Sequence, residues 1–220
     1  MKEKFKTKKD MVYFYLQRDI LEGILEPGTR LLISSIAKQY KTSDIPVREA
    51  LQSLVQEGLI VTSPHSGYIV SQVSEKDVRE IFEIRTVLEG IAARSAVNNL
   101  SNADIEVLEK MVEDSRKFLP PLDFIGYWKF NRKFHLTMYK LSNNERLYRM
   151  IEDLYNCSKR YPQFFTKKEE LDNSICEHES MLDVLRTRDE AKVEKIVKDH
   201  TEDTLTHVLK RLKDISITNN

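Results

Sequence analysis

The 220-residue sequence predicts a mainly α-helical chain, a small winged helix-turn-helix followed by an all-α antiparallel bundle. Three observations carry that fold class. Helical periodicity runs through most of the chain. The β-rich runs "LIVTS" and "YIVS" flank the turn "PHSG" and read as one hairpin, the wing. Beyond residue 75 there is no further strand signal of any strength. The breaks "NNLSN", "PPLD", "SNN" and "RTRD" are short, and short links between helices imply antiparallel neighbours.

Residues 9–25 carry apolar positions 12, 16, 20 and 24 at helical spacing. Pro27 and Gly28 break the chain. A short helix follows over 33–40, "ISSIAKQY", and Lys41–Thr42 forms a tight connection. Ser43 or Asp44 can cap the next helix, and Pro46 suits its first turn. Ala50, Leu51, Leu54 and Val55 supply a buried stripe, and Gly58 ends the helix. The hairpin comes next, and a domain boundary falls near residues 71–75. Amphipathic helices are predicted near 75–98, 102–118, 123–141, 144–161, 168–187 and 189–213. This divides the chain into residues 1–72, with a flexible basic tail over 1–8, and residues 75–214.

Composition narrows the class. Forty per cent of residues are hydrophobic and 32% charged, with six Gly and six Pro, which fits a folded, helix-rich protein rather than a disordered one. No apolar run reaches the ~18 residues of a membrane span. The basic N-terminus lacks the apolar core of a signal peptide, so a cytoplasmic protein without a membrane partner is expected. Cys157 and Cys176 make no disulfide or metal pattern and are expected to pack in the core. Net charge is zero, and over residues 1–72 ten Lys and Arg face eight Asp and Glu. Charge alone therefore does not announce a nucleic-acid binder.

Motifs say more. "LEGILEPGTRL", "IPVREALQSLVQEGLI" and "PHSGYIV" resemble the N-terminal domain of GntR-type bacterial transcription regulators. "EIRTVLEGIAARSA", "NRKFH" and "EHESMLDVLRTRDEAKVEKIVKDH" resemble the all-helical effector domain, the FCD domain, of that family's FadR-type branch. The resemblance covers about residues 9–212. It implies a ligand-responsive repressor or activator that binds double-stranded operator DNA as a homodimer and senses a small carboxylate.

On that reading the helix opening at Ser43 is the recognition helix, whose N-terminal residues enter the major groove. Ser43 and Arg48 take the anion-facing roles. Gly67 turns the wing, and His65 is either a DNA contact at its tip or an ordinary loop histidine. The family pattern is Ser-Arg-Thr-Pro-Val-Arg-Glu-Ala-Leu, and this chain has Asp44 at the second place. Asp44 can stabilise the helix dipole, alter base preference by accepting from cytosine N4, or weaken the grip on phosphate.

Four of the five histidines, 135, 178, 200 and 207, lie in the second half. His135 follows Asn131 by one helical turn. His178 continues the stripe Leu171, Ile175, Leu182 and Leu185, and His200 continues Val193, Ile196 and Val197. Three imidazoles then point inward from three helices, and a divalent metal gives them a common partner. Imidazole suits Zn, Ni, Mn or Fe. The family's metal-binding members carry Asp-x-x-x-His plus one His on each of two later helices. The match here is Asn131, His135, His178 and His200, with an amide in place of the aspartate. His207 is expected to face inward too, either backing the metal site or, the favoured reading, simply facing the core. Arg85 shares a face with Ile81, Leu88 and Ala92; Glu89 is its structural partner, and the resemblance also implies an effector contact by Arg85 and Asn131. A metal-dependent enzyme is the competing reading. Against it, Glu177 and Glu179 flank His178 and are expected to face elsewhere, so no general base stands beside the histidines. A helical interaction module whose winged domain binds protein is a third.

Overall fold

The computed structural model describes all residues except 1–4, 22, 64–66, 73, 120–121, 159–166 and 219–220, and the side chains of 215–218. The chain divides into two compact units, one built on Met1–Ser74 and one on Glu75–Tyr155 and Gln163–Asn220.

In the first unit α1 spans Lys8–Leu21, α2 Ile33–Gln39 and α3 Asp44–Gln56. Val12 and Leu16 from α1, Ile36 and Ala37 from α2, and Val47, Ala50, Leu51 and Leu54 from α3 close a common core. The expected stripe on α1 stops early: the helix ends at Leu21, so Ile24 lies past it and is 64% exposed. Lys41 adopts φ +49°, a left-handed residue that reverses the chain between α2 and α3. Gly58 at φ +73° closes α3. Tyr13 and Gln17 on α1 both donate to the Glu57 carboxylate, at 2.5 and 2.9 Å, and pin α1 to the end of α3.

The sheet has one more strand than the sequence predicts. β1 (Arg30–Leu31), β2 (Ile60–Ser63) and β3 (Gly67–Val70) form an antiparallel sheet in the order β1-β3-β2. Arg30 pairs with Ile69 and Ile60 with Val70. Two residues carry no period-2 signal, so β1 is invisible to patterning; its partner strand makes it.

The second unit is helical among its described residues. α4 spans Glu75–Val97, α5 Asn102–Ser115, α6 Phe124–Lys140, α7 Glu145–Cys157, α8 Lys168–Arg186 and α9 Glu190–Thr218. A 3-10 turn, Arg116–Phe118, follows α5. Ser101 and Asp104 form a reciprocal capping box at the start of α5, and Asp123 caps α6 through Gly126 N. α4 packs along α9, and α8 touches both α5 and α9. Phe134, Met138, Ile151, Leu171, Ile175 and Val193 fill the centre. Both cysteines are exposed rather than packed. Among the described residues no helix is long and apolar enough to cross a membrane.

Candidate functional site: a three-histidine cluster and an exposed helix end

The first site is built by α6, α8 and α9. Their inward stripes bring His135, His178 and His200 together, with one ligand-type nitrogen from each within 4.8 Å of the others. His135 Nε2 lies 3.2 Å from His178 Nε2 and 3.2 Å from His200 Nε2. His135 and His178 are 1% and 0% exposed, and the His200 side chain is 9% exposed. Phe134 packs against the His178 ring, with centroids 4.5 Å apart.

The outer nitrogens fix the tautomers. His200 Nδ1 sits 2.7 Å from Glu177 Oε2. A carboxylate only accepts, so Nδ1 carries a hydrogen and, in the neutral ring, Nε2 a lone pair. Tyr139 OH donates to Glu89 Oε2 at 2.7 Å, so its oxygen accepts from His135 Nδ1 at 3.4 Å. His135 Nε2 then also presents a lone pair. With both rings neutral, two acceptors would face each other at 3.2 Å. A proton or a metal cation would resolve this. Burial, then the neighbouring imidazoles His200 and His178 and the Arg85 charge, hold His135 well below the ordinary histidine value, and burial and His200 do the same for His178. Burial and these neighbours therefore disfavour a proton on His135 and His178. His178 Nδ1 and Asn131 Oδ1 are buried with no hydrogen-bond partner among the described residues. An orphaned amide oxygen one turn before His135 is a further oxygen donor, and the set of imidazole nitrogens fits a divalent transition metal.

Behind His135 lies a charged network. Arg85 Nε donates to Glu89 Oε1 at 2.6 Å, and both residues are buried. The Arg85 guanidinium lies 4.5 Å from the Phe82 ring centroid and 4.0 Å from that of Tyr155. Burial alone would lower its pKa; the Glu89 carboxylate overrides that and holds it above the ordinary value. Glu89 Oε2 also accepts from Tyr155 OH at 3.3 Å. Burial and then the Glu89 charge raise the Tyr139 phenol well above its usual value, so its hydrogen stays in place.

Two expectations are corrected. Glu177 does not face away from the histidines but holds His200; Glu179 does turn away, to Arg116. His207 is exposed, not core-facing. Glu177 and Tyr139 are the residues that motif reading missed. Tyr139 had a signal, standing one turn past His135 on α6.

The second site is the start of α3. Ser43 is its N-cap but its side chain makes no capping bond. Asp44 is the first helical residue. Ser43, Asp44 and Arg48 are all exposed, and Ile45 is 68% exposed. Gly67 has φ +72° where β3 leaves the turn. His65 lies outside the described residues.

Comparison with known proteins follows the same division. Residues 8–70 match "Bacterial regulatory proteins, gntR family", and residues 80–203 match the FCD domain. The HTH-type transcriptional regulator McbR of Escherichia coli is 34% identical over 140 residues, 64% of this chain and 63% of that protein. A Bacillus subtilis regulator, YdhC, is 29% identical over 141 residues, and again 63% of that relative is spanned. The HTH-type transcriptional repressor RspR of Escherichia coli is 25% identical over 193 residues, 87% of this chain and 85% of that one. The solved structure of E. coli McbR/YncC superposes with a TM-score of 0.71 at 26% identity, covering 94% of this chain and 100% of that one.

Proposed function

The chain belongs to the GntR family of bacterial transcriptional regulators and carries that family's FCD domain; from that premise we propose that it binds operator DNA as a homodimer and changes its grip when a small carboxylate reaches a metal held by His135, His178 and His200. The relatives are transcriptional regulators, not enzymes, and several are named as repressors, which favours repression. The observation that supports the sensing role is the convergence of His135, His178 and His200 inside the FCD domain, with His135 Nε2 3.2 Å from each of the other two Nε2 atoms. The metal, when bound, acts as a Lewis acid toward an anionic oxygen. Asn131 Oδ1 completes the donor set from the same helix as His135. The orientation of His135 is set by Tyr139 and Glu89, and that of His200 by Glu177.

Arg85 contributes indirectly in this reading. Its Nε is engaged by Glu89, so an incoming carboxylate competes with Glu89 for the guanidinium. At the DNA end, the first N–H groups of α3 favour a phosphate, Ser43 donates its free hydroxyl, and Arg48 stands exposed one turn further on. Gly67 belongs to the wing. A regulator of this kind works in the cytoplasm, where its operator is. The effector must bind the two DNA-gripping arrangements with different affinity, since otherwise nothing switches.

A mobility-shift assay against DNA upstream of its own gene tests the proposal, run with and without Zn(II). A specific shift that His178→Ala leaves in place but makes insensitive to metal is the expected result. No sequence-specific binding in either state would end the proposal.

A further inference from the structure

We infer that Glu177 is a positioning residue of the metal centre, fixing His200 so that its Nε2 lone pair faces the site and supplying a carboxylate charge there. The inference rests on reading the three histidines as metal ligands.

Three neutral imidazoles and an amide leave a divalent ion with both its charges in a buried pocket, which is unfavourable without a counter-charge nearby. Two carboxylates reach the triad. Glu89 does so through Tyr139, but Arg85 Nε is 2.6 Å from its other oxygen, so that pair is neutral as a unit. Glu177 bonds His200 Nδ1 directly at 2.7 Å, and among the described residues no lysine or arginine pairs with it. Its negative charge therefore passes to the centre through one imidazole. The three ligands are unequal as a result. Among the described residues, His200 has a carboxylate behind it, His135 a phenol, and His178 Nδ1 nothing. A ligand imidazole backed by a carboxylate is oriented, locked in one tautomer and made more basic.

Position on α8 explains why Glu177 and not Glu179 does this. Successive residues turn by about 100° around a helix. His178 faces the core, so Glu177 points to one flank and Glu179 to the other. α9 lies on the first flank and offers His200. The turn after α5 lies on the second and offers Arg116, 2.5 Å from Glu179. Glu179 is thus a built-in control: same helix, same charge, no contact with the triad.

The test is a competition titration of the full-length protein with Zn(II) against a chromophoric chelator, alongside Co(II) absorption and metal-free thermal unfolding. Glu177→Ala should weaken zinc by about 10–100-fold. Glu177→Gln should lose less, because its amide oxygen still accepts from Nδ1. Glu179→Gln should stay within about twofold, as an exposed ion pair contributes little. Metal-free unfolding should be alike in all variants, and the Co(II) band position unchanged. Wild-type protein that fails to take zinc overturns the metal reading itself. Wild type that binds while Glu177→Ala binds equally well overturns the role of Glu177 alone. An equal loss in Glu179→Gln, or a Co(II) band that moves in Glu177→Ala as for a lost ligand, also overturns it.

Discussion

The histidine cluster and the start of α3 are opposite kinds of site. In the cluster the histidines are buried and closely engaged: Glu177 holds His200 Nδ1, Glu89 occupies Arg85, and His135 and His200 bring their Nε2 atoms to 3.2 Å. At the start of α3, Ser43, Asp44 and Arg48 are exposed, and Ser43 makes no capping bond. Geometry therefore argues for a ligand in the first case and is silent in the second, where the argument is the motif and the helix end. The buried Arg85–Glu89 network should respond to mutation through stability, the histidines through stability and metal affinity together, and the exposed site chiefly through DNA affinity.

The largest effect is expected at Glu89. Replacing it with Ala strands the buried Arg85 charge, which should destabilise the second unit by about 3–5 kcal/mol in urea unfolding. Arg85→Met combined with Glu89→Leu should recover only part of that loss, since no charge is stranded but Tyr139 and Tyr155 still lose their acceptor. If Glu89→Ala is harmless, the buried network is not the rigid frame on which the contrast depends.

His178→Ala comes next. Losing a ligand should weaken zinc by more than the about 100-fold upper range of an outer-sphere change, read by chelator competition. The acid response of the metal-free protein follows. His135 and His178 are held well below the ordinary histidine value, while the unfolded chain takes up protons near pH 6.5. Their contribution is therefore full above about pH 6.5 and is lost as pH falls through that value towards the folded pKa. Between about pH 7.5 and 5.5 this amounts to roughly 1–3 kcal/mol for the two together. Saturating zinc should blunt the loss, and His178→Leu should roughly halve it in the metal-free protein. A flat profile would mean that the rings are solvated.

What the sequence made legible divides along the same line. Helix periods placed His135, His178 and His200 on inward faces, and all three meet. His207 stands seven residues past His200 and so points the same way, yet it is exposed. Periodicity gives direction around a helix, not whether a neighbour covers that level. Glu177 was missed for the converse reason. It lies beside the core-facing His178, and the α9 side chain that reaches its flank comes 23 residues later. β1 depends wholly on β3. The start of α3 was legible because its information is local: a cap position, a proline in the first turn and an apolar stripe.

At the exposed site the effects should be smaller in stability and visible in binding. Arg48→Ala should move folding stability by less than about 0.5 kcal/mol. It should lower operator affinity and reduce the log–log salt slope by about 0.9 if one phosphate contact is lost. An unchanged slope would remove Arg48 from the phosphate contacts.

The smallest effect on binding is expected at Asp44, and it separates the readings of that residue. As first residue of α3, its carboxylate meets the positive end of the helix dipole, and Ser43 provides no side-chain cap that would make it redundant. Asp44→Asn should therefore lower stability by about 0.3–1 kcal/mol, most clearly at low ionic strength. The same change removes a negative charge from a surface meant to meet phosphate, so affinity should rise slightly and evenly across operator sequences. A loss of about 1–3 kcal/mol confined to operators with cytosine at one position would instead make Asp44 a base reader through cytosine N4. Binding measured against a panel with every base at each half-site position distinguishes an even change from a local one. Only a local one would give the exposed site a geometry of its own, to set beside the buried one.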